Sequence, residues 1–321
     1  MIQRILIALS LVALGGCFFD LGSFTRTRPL ESKVVMGDSG PKLAIVELNG
    51  VISEAERGSP FGITKPSMVA RAREALDRAA DDGVAGLLVK INSPGGSVSA
   101  SETLHHEVLR WKEETGKPVV AYFQGMATSG GYYVAMASDE IVAHPVAITG
   151  SIGVILPGVN VSGLLNRFGV VDQSFTSGPY KDAGSPIREM RPEERKYLQA
   201  VVVDLYDRFK EVVLLGRPEL SKEQIAPLAD GRIFTSRQAV ENGLVDRIGH
   251  LEEAVAALEK RAGIPESRLV VYHPPGEFRD NIYTQPGQPP VNIIDVDILS
   301  LDTKRLEPGF YYLWPPAVSM P

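Results

Sequence analysis

Leu87-Leu88-Val89-Lys90-Ile91 runs directly into Asn92-Ser93-Pro94-Gly95-Gly96-Ser97-Val98. The first five residues are an apolar run of strand length. The Pro-Gly-Gly that follows predicts a turn, and Ser99-Ala100-Ser101-Glu102 has the spacing of a capping box, so the stretch predicts a buried strand, a tight turn and a helix start. The same unit recurs on either side. Upstream, Leu43-Ala44-Ile45-Val46-Glu47-Leu48 predicts a strand; residues 67–81 predict a helix capped by Ser67, with Val69, Ala72, Leu76, Ala79 and Ala80 on one face. Downstream, the second helix should stop near Gly116-Lys117-Pro118, and Pro118 to Phe123 reads as a strand that leads into another helix. Repeated strand, loop and helix units of this length need crossover connections, so the chain predicts an α/β fold with mostly parallel pairing and right-handed crossovers.

Farther on, Arg191-Pro192-Glu193-Glu194 predicts the start of a long helix running to about Leu215, with proline in its first turn and acids near the positive end of its dipole. Leu198, Val201, Val202, Leu205, Phe209, Val212 and Val213 form a broad apolar face on it, suited to a core or a subunit interface. Beyond residue 272 the chain turns proline-rich. Residues 273–321 read as an extended arm, although Phe310-Tyr311-Tyr312-Leu313-Trp314 is too aromatic to stay in water and should dock on something.

Two stretches carry chemistry. Ala127-Thr128-Ser129-Gly130-Gly131-Tyr132-Tyr133 sets a serine among small residues, where a substrate backbone can approach closely and a helix beginning there would aim free amides at developing negative charge. Gly178-Pro179-Tyr180-Lys181-Asp182-Ala183-Gly184-Ser185-Pro186 supplies a lysine. Read alone, the first is a turn and the second a solvated charge; read together they are a nucleophile and its base, as acyl transfer requires. None of the five histidines suits a triad: His105 and His106 fall in mid-helix, His144 precedes a proline, and His250 and His273 lie near the domain's end. Lys181 is then the base, acting in its neutral form, which burial must favour. Asp182 would oppose that if its carboxylate came close, so it should point away. Ser151, in Ile148-Thr149-Gly150-Ser151-Ile152-Gly153-Val154, reads as a turn serine or as a hydroxyl that orients the amine without adding charge. The N–H groups of Gly96 and Gly130 are the candidate oxyanion donors, although sequence does not separate Gly95 from Gly96.

These segments, in this order, closely resemble the signal peptide peptidase A family, membrane-associated serine peptidases with a Ser/Lys dyad. Gly231-Arg232-Ile233-Phe234-Thr235, then Gly243-Leu244-Val245-Asp246-Arg247-Ile248-Gly249, extend the resemblance, which covers about residues 42–272. Ser236 departs from the glycine common there and reads as a helix cap. The resemblance implies the spiral ββα-repeat fold of the caseinolytic protease and crotonase groups. It also implies substrates drawn from signal-peptide remnants or other membrane-released peptides, with small or apolar residues before the scissile bond. In the caseinolytic protease the catalytic histidine would fall near Gly150-Ser151-Ile152, where this chain has serine. The family includes a long form with two tandem copies, in which serine and lysine come from different copies. A single-copy chain therefore implies a homo-oligomeric ring, eight subunits by analogy, pairing Ser129 with a neighbour's Lys181.

The amino terminus sets the location. Met1-Ile2-Gln3-Arg4 is a short positive leader, and Ile5 to Leu14 is apolar apart from Ser10. At about 15 Å as a helix, that run is too short for a bilayer core of about 30 Å and reads as a signal peptide, residues 1–16. Leu14-Gly15-Gly16-Cys17 resembles a lipobox, which makes Cys17 the lipidated residue and places the catalytic domain outside the cytoplasm of a bacterial cell envelope. Residues 17–41 read as a tether, 42–272 as the peptidase domain and 273–321 as the arm. With one cysteine, no intrachain disulfide is possible. A net charge of −6 with scattered basic residues argues against a nucleic-acid partner, and neither an HExxH pattern, a Cys/His cluster nor a Walker loop occurs, so neither metal nor cofactor is expected. Two other functions share features with this reading: a crotonase-type acyl-CoA enzyme and a non-catalytic scaffold lipoprotein.

Overall fold

The computed structural model describes residues 30–58, 64–275, 281 and 309–313. The residues read as a signal peptide, Cys17 and most of the residues read as the arm lie outside them. A nine-stranded sheet forms the centre. Its elements are β1 (Glu31–Met36), β2 (Lys42–Asn49), β3 (Leu87–Ser93), β5 (Val119–Thr128), β6 (Glu140–Ala143), β7 (Ile148–Gly150), β8 (Ile233–Thr235), β9 (Arg247–Ile248) and β10 (Arg268–His273); β4 (Gly95–Ser97) stands apart. The main path runs β1-β10-β2-β3-β5-β6-β9, and β7 joins β5 and β8. Pairing is parallel from β10 through β9 and between β5 and β7, and antiparallel only at β1–β10 and β8–β7. This is the mostly parallel α/β sheet that the repeated units predict.

Both faces of the sheet are covered, which is why its strands read as continuous apolar runs. Along β2, Ala44, Val46 and Leu48 enter one core, while Leu43 and Ile45 enter the other. The first core is closed by α1 (Met68–Asp81), α2 (Val98–Thr115), α3 (Gly130–Ala135) and the C-terminal part of α4 (Pro192–Gly216); the second by α5 (Leu251–Ala262). Ser67 caps α1 by accepting from the Ala70 N–H at 3.1 Å, and Gly116 ends α2 at φ 63.

Several local expectations are corrected. The Ser99–Glu102 box does not form: Ser97 caps α2, because β4 continues to residue 97 and its hydroxyl reaches the Ala100 N–H at 3.2 Å. Gly95 and Gly96 thus lie in a strand instead of a free turn. Ala80 is exposed, and Met68 and Ala75 take its place on the buried face of α1. Thr235, not Ser236, caps the next helix; the Ser236 hydroxyl donates to the carbonyls of His144 at 2.6 Å and Ala147 at 3.0 Å. In α4 only the end near Phe209, Val212 and Val213 is fully buried on the apolar face; Leu198, Val201 and Val202 are half-buried. β1 also brings residues 31–36, read as tether, into the sheet.

Candidate active site

β5 delivers Ser129. At its end Ser129 turns the chain with φ 54 and ψ −115, a conformation costly for a residue with a side chain, and α3 begins at the next residue. The Ser129 N–H donates to the Gly150 carbonyl at 2.7 Å, and its carbonyl accepts from Tyr133 at 2.8 Å. Ser129 is 1 % exposed, and its hydroxyl has no hydrogen-bond partner among the described residues. A buried hydroxyl without a partner is a deficit that structural serines avoid.

Two tyrosines hold the helix behind it. Tyr132 is fully buried and its hydroxyl donates to the Leu244 carbonyl at 2.8 Å. Tyr133 is equally buried, bonds to the Glu102 carboxylate and lies edge-on to His105 and Phe209 at 5.3 and 5.0 Å. Burial pushes the His105 imidazole down to about 4, so near neutral pH it is an uncharged packing partner.

The structure distinguishes Gly96 from Gly95. Ile52 donates to the Gly95 carbonyl at 2.8 Å and accepts from the Ser97 N–H at 3.0 Å, so the Gly96 N–H points to the other side of β4. A Cβ on Gly130 would fall 3.2 Å from the Gly96 nitrogen and 2.3 Å from Ser101 Oγ, and one on Gly96 would fall 1.8 Å from the Ile52 carbonyl oxygen. Gly96 and Gly130 are therefore neighbours beside Ser129, in space that only glycine leaves open.

Ser151 is buried with φ 52, and its N–H donates to the Arg232 carbonyl at 2.7 Å. The Ser129–Gly150 bond puts it one residue from the serine turn.

Lys181 is exposed, and within one chain it does not reach the Ser129 hydroxyl. The turns around it are fixed from the side. The Asp182 carboxylate accepts from Arg188 at 2.7 Å, and Arg188 also donates to the fully inaccessible carboxylate of Glu194 at 2.6 Å. The Asp182 carboxylate thus faces the Arg188 and Arg191 guanidinium groups. The Arg188 bond holds its carboxyl below the usual range, and hydrogen bonds, led by that from Arg188, bring Glu194 down to about 2.

One part of the site is not read from the sequence. β11 (Tyr311–Leu313) docks antiparallel on β4, with Tyr311 opposite Ser97, Tyr312 opposite Gly96 and Leu313 opposite Gly95. The aromatic run signals docking, but only the fold shows that its berth is this site.

Residues 112–265 match the model for peptidase family S49. The chain is 37 % identical over 242 residues to a protein of Enterococcus faecium named as a signal peptide peptidase SppA, an alignment covering 75 % of this chain and 70 % of that one. It is 39 % identical over 228 residues to a protein of Synechocystis sp. named as a protease, covering 71 % and 77 %. Protease 4 of Salmonella typhi is 35 % identical over 237 residues, covering 73 % of this chain and 37 % of that longer one.

Proposed function

Because the chain belongs to peptidase family S49 and is a serine peptidase, we propose that Ser129 is its nucleophile and that Lys181 of a neighbouring copy is the general base. The observation that carries this reading is the buried, unpartnered Ser129 hydroxyl on a strained turn beside the Gly96 and Gly130 amides. Ser129 Oγ attacks the peptide carbonyl carbon, and its proton passes to the neutral amine of Lys181. The N–H groups of Gly96 and Gly130 hold the oxyanion; on collapse the C–N bond breaks and the lysine returns the proton to the leaving amine. Water, deprotonated by the same lysine, then hydrolyses the acyl ester. Ser151 orients the amine.

The shared site explains an exposed face. Phe168, Val171, Phe175, Tyr180 and Ile187 surround Lys181 in sequence and are all exposed, with Phe175 fully so. Such a surface suits burial against a second copy, and head-to-tail repetition gives a closed ring, eight subunits in our reading. We read the sheet as the spiral ββα type and the substrates as signal-peptide remnants or similar membrane-released peptides. No helix among the described residues is long and apolar enough to cross a membrane, and the anchor in this reading is a lipid on Cys17. A fluorophosphonate probe tests the nucleophile: it should label Ser129 in the native protein and leave Ser129→Ala unlabelled, whereas labelling that persists in the variant would refute the assignment.

A further inference from the structure

From residue 153 to residue 193 no residue is buried, and Glu194 is the first that is. The segment that carries Lys181 therefore has no apolar core of its own to fix its shape. A set of charged bonds stands in for one. The Arg191 side chain donates to the carbonyl of Pro179, and Arg188 donates to the carbonyl of Asp182 at 2.9 Å and to its carboxylate at 2.7 Å. These two carbonyls bracket Lys181. Between them the backbone turns tightly: the Lys181 N–H donates to the Gly178 carbonyl and the Ala183 N–H to the Tyr180 carbonyl, each at 3.2 Å.

Both guanidinium groups end on Glu194. Its carboxylate accepts from Arg188 at 2.6 and 2.9 Å, from the Arg191 side chain, and from the Arg191 backbone N–H at 3.0 Å. The last bond belongs to the capping box of α4, so the clamp is built on the first turn of a 25-residue helix whose far end is buried at Phe209, Val212 and Val213. Arg188 and Arg191 against Asp182 and Glu194 leave the cluster without net charge, and the carboxylate next to Lys181 in sequence is matched by arginine and not by the lysine amine. Charge-assisted, forked bonds of this kind fix direction as well as distance.

We propose that Arg188 and Glu194 are positioning residues for the general base: they set the Lys181 turn rigidly on α4 within the copy that carries it, so that the lysine reaches a neighbour's Ser129 already in place. This deepens the shared-site reading and rests on it. The clamp then matters only in the copy that donates the lysine, whereas a bond that merely supports the fold matters alike in both copies.

The test uses full-length chains, unfolded together, reassembled and assayed on a fluorogenic peptide. Arg188→Met keeps a long side chain and removes every donor. Combined on one chain with Ser129→Ala and reassembled with Lys181→Ala, it should lower the recovered hydrolysis at least tenfold relative to the mixture of the two single variants, since misplacement by about 1 Å costs about 100-fold. Combined instead with Lys181→Ala and reassembled with Ser129→Ala, it should leave the recovered rate within twofold. Arg188→Lys, which keeps the charge and loses the fork, should give an intermediate loss in the lysine-donating chain. Equal recovery from the two mixtures, in verified mixed assemblies, would overturn the proposal. If the mixture of single variants is itself silent, the shared site fails instead, and protein carrying Arg188→Met alone decides: kcat at least tenfold lower with KM within twofold keeps the clamp and moves the dyad into one chain, and an unchanged kcat overturns the clamp as well. Where Arg188→Met does not assemble, Glu194→Gln, which keeps an acceptor for the Arg191 N–H, goes through the same mixtures under the same criteria.

Discussion

The backbone N–H of Ser129 donates to the carbonyl of Gly150 at 2.7 Å. That bond joins the turn of Ser129 to the turn of Ser151, the two non-glycine residues of positive φ among the described residues, at 54° and 52°. Gly150 itself sits at φ 85, and a Cβ there would fall 2.6 Å from the ring of Phe234. Gly150→Ala should therefore shift Ser129 without unfolding the sheet. The expected loss in kcat/KM is on the order of 100-fold, since misplacement by about 1 Å costs that much. A folded variant within twofold of native activity would contradict this.

Phe209 is the anchor between α4 and α3, the helix behind Ser129, fully buried against Tyr133 and Tyr312. Phe209→Ala should destabilise the fold by about 3–5 kcal/mol, the range for deleting a buried aromatic ring. Denaturant unfolding measures it; a change below about 1 kcal/mol would mean that α4 carries little of the core.

The clamp on the Lys181 segment gives a pH dependence. Glu194 falls from an ordinary 4.5 to about 2 through its bonds to Arg188 and Arg191. Because the folded value is the lower one, this stabilisation is complete above about 4.5 and is lost as pH falls toward about 2. Hydrogen exchange in residues 178–190 should rise across that window, and Glu194→Gln should show the faster exchange already at neutral pH. Identical exchange in variant and native protein at neutral pH would show that the clamp does not hold the segment.

Cys17 lies outside the described residues, and its role is tested in cells. Cys17→Ser should release the protein from membranes or leave its precursor unprocessed, because in our reading the lipid on that one residue is the anchor. A mature amino terminus at any other residue would refute the lipid assignment.

The sheet was legible because its strands are buried on both faces and bounded by glycine and proline: Leu43–Leu48 and Leu87–Ile91 are apolar runs that need no tertiary information to identify. Caps were harder. Ser97 and Ser99 are both acceptable caps locally, and only the pairing of Gly95–Ser97 with Ile52 and Tyr311–Leu313 decides between them. The serine turn was visible as a run of small residues, whereas its positive φ was not, since a non-glycine residue is held there by contacts distant in sequence. The exposure of Lys181 within one chain was not legible from its own segment: pairing with a neighbouring copy came only from the family resemblance, and no local pattern encodes an interface. Tyr312 escaped because a docked tail strand pairs across a sequence gap that no periodicity spans.

The most direct measurement takes Ser129→Ala and Lys181→Ala proteins, each inactive alone, unfolds them together in equal amounts, reassembles them and assays peptide hydrolysis. If serine and lysine meet across an interface, about a quarter of the interfaces in a random mixture contain both native residues, and about a quarter of native activity should return. Verified mixed assemblies that stay silent would contradict the account and place the dyad within one chain.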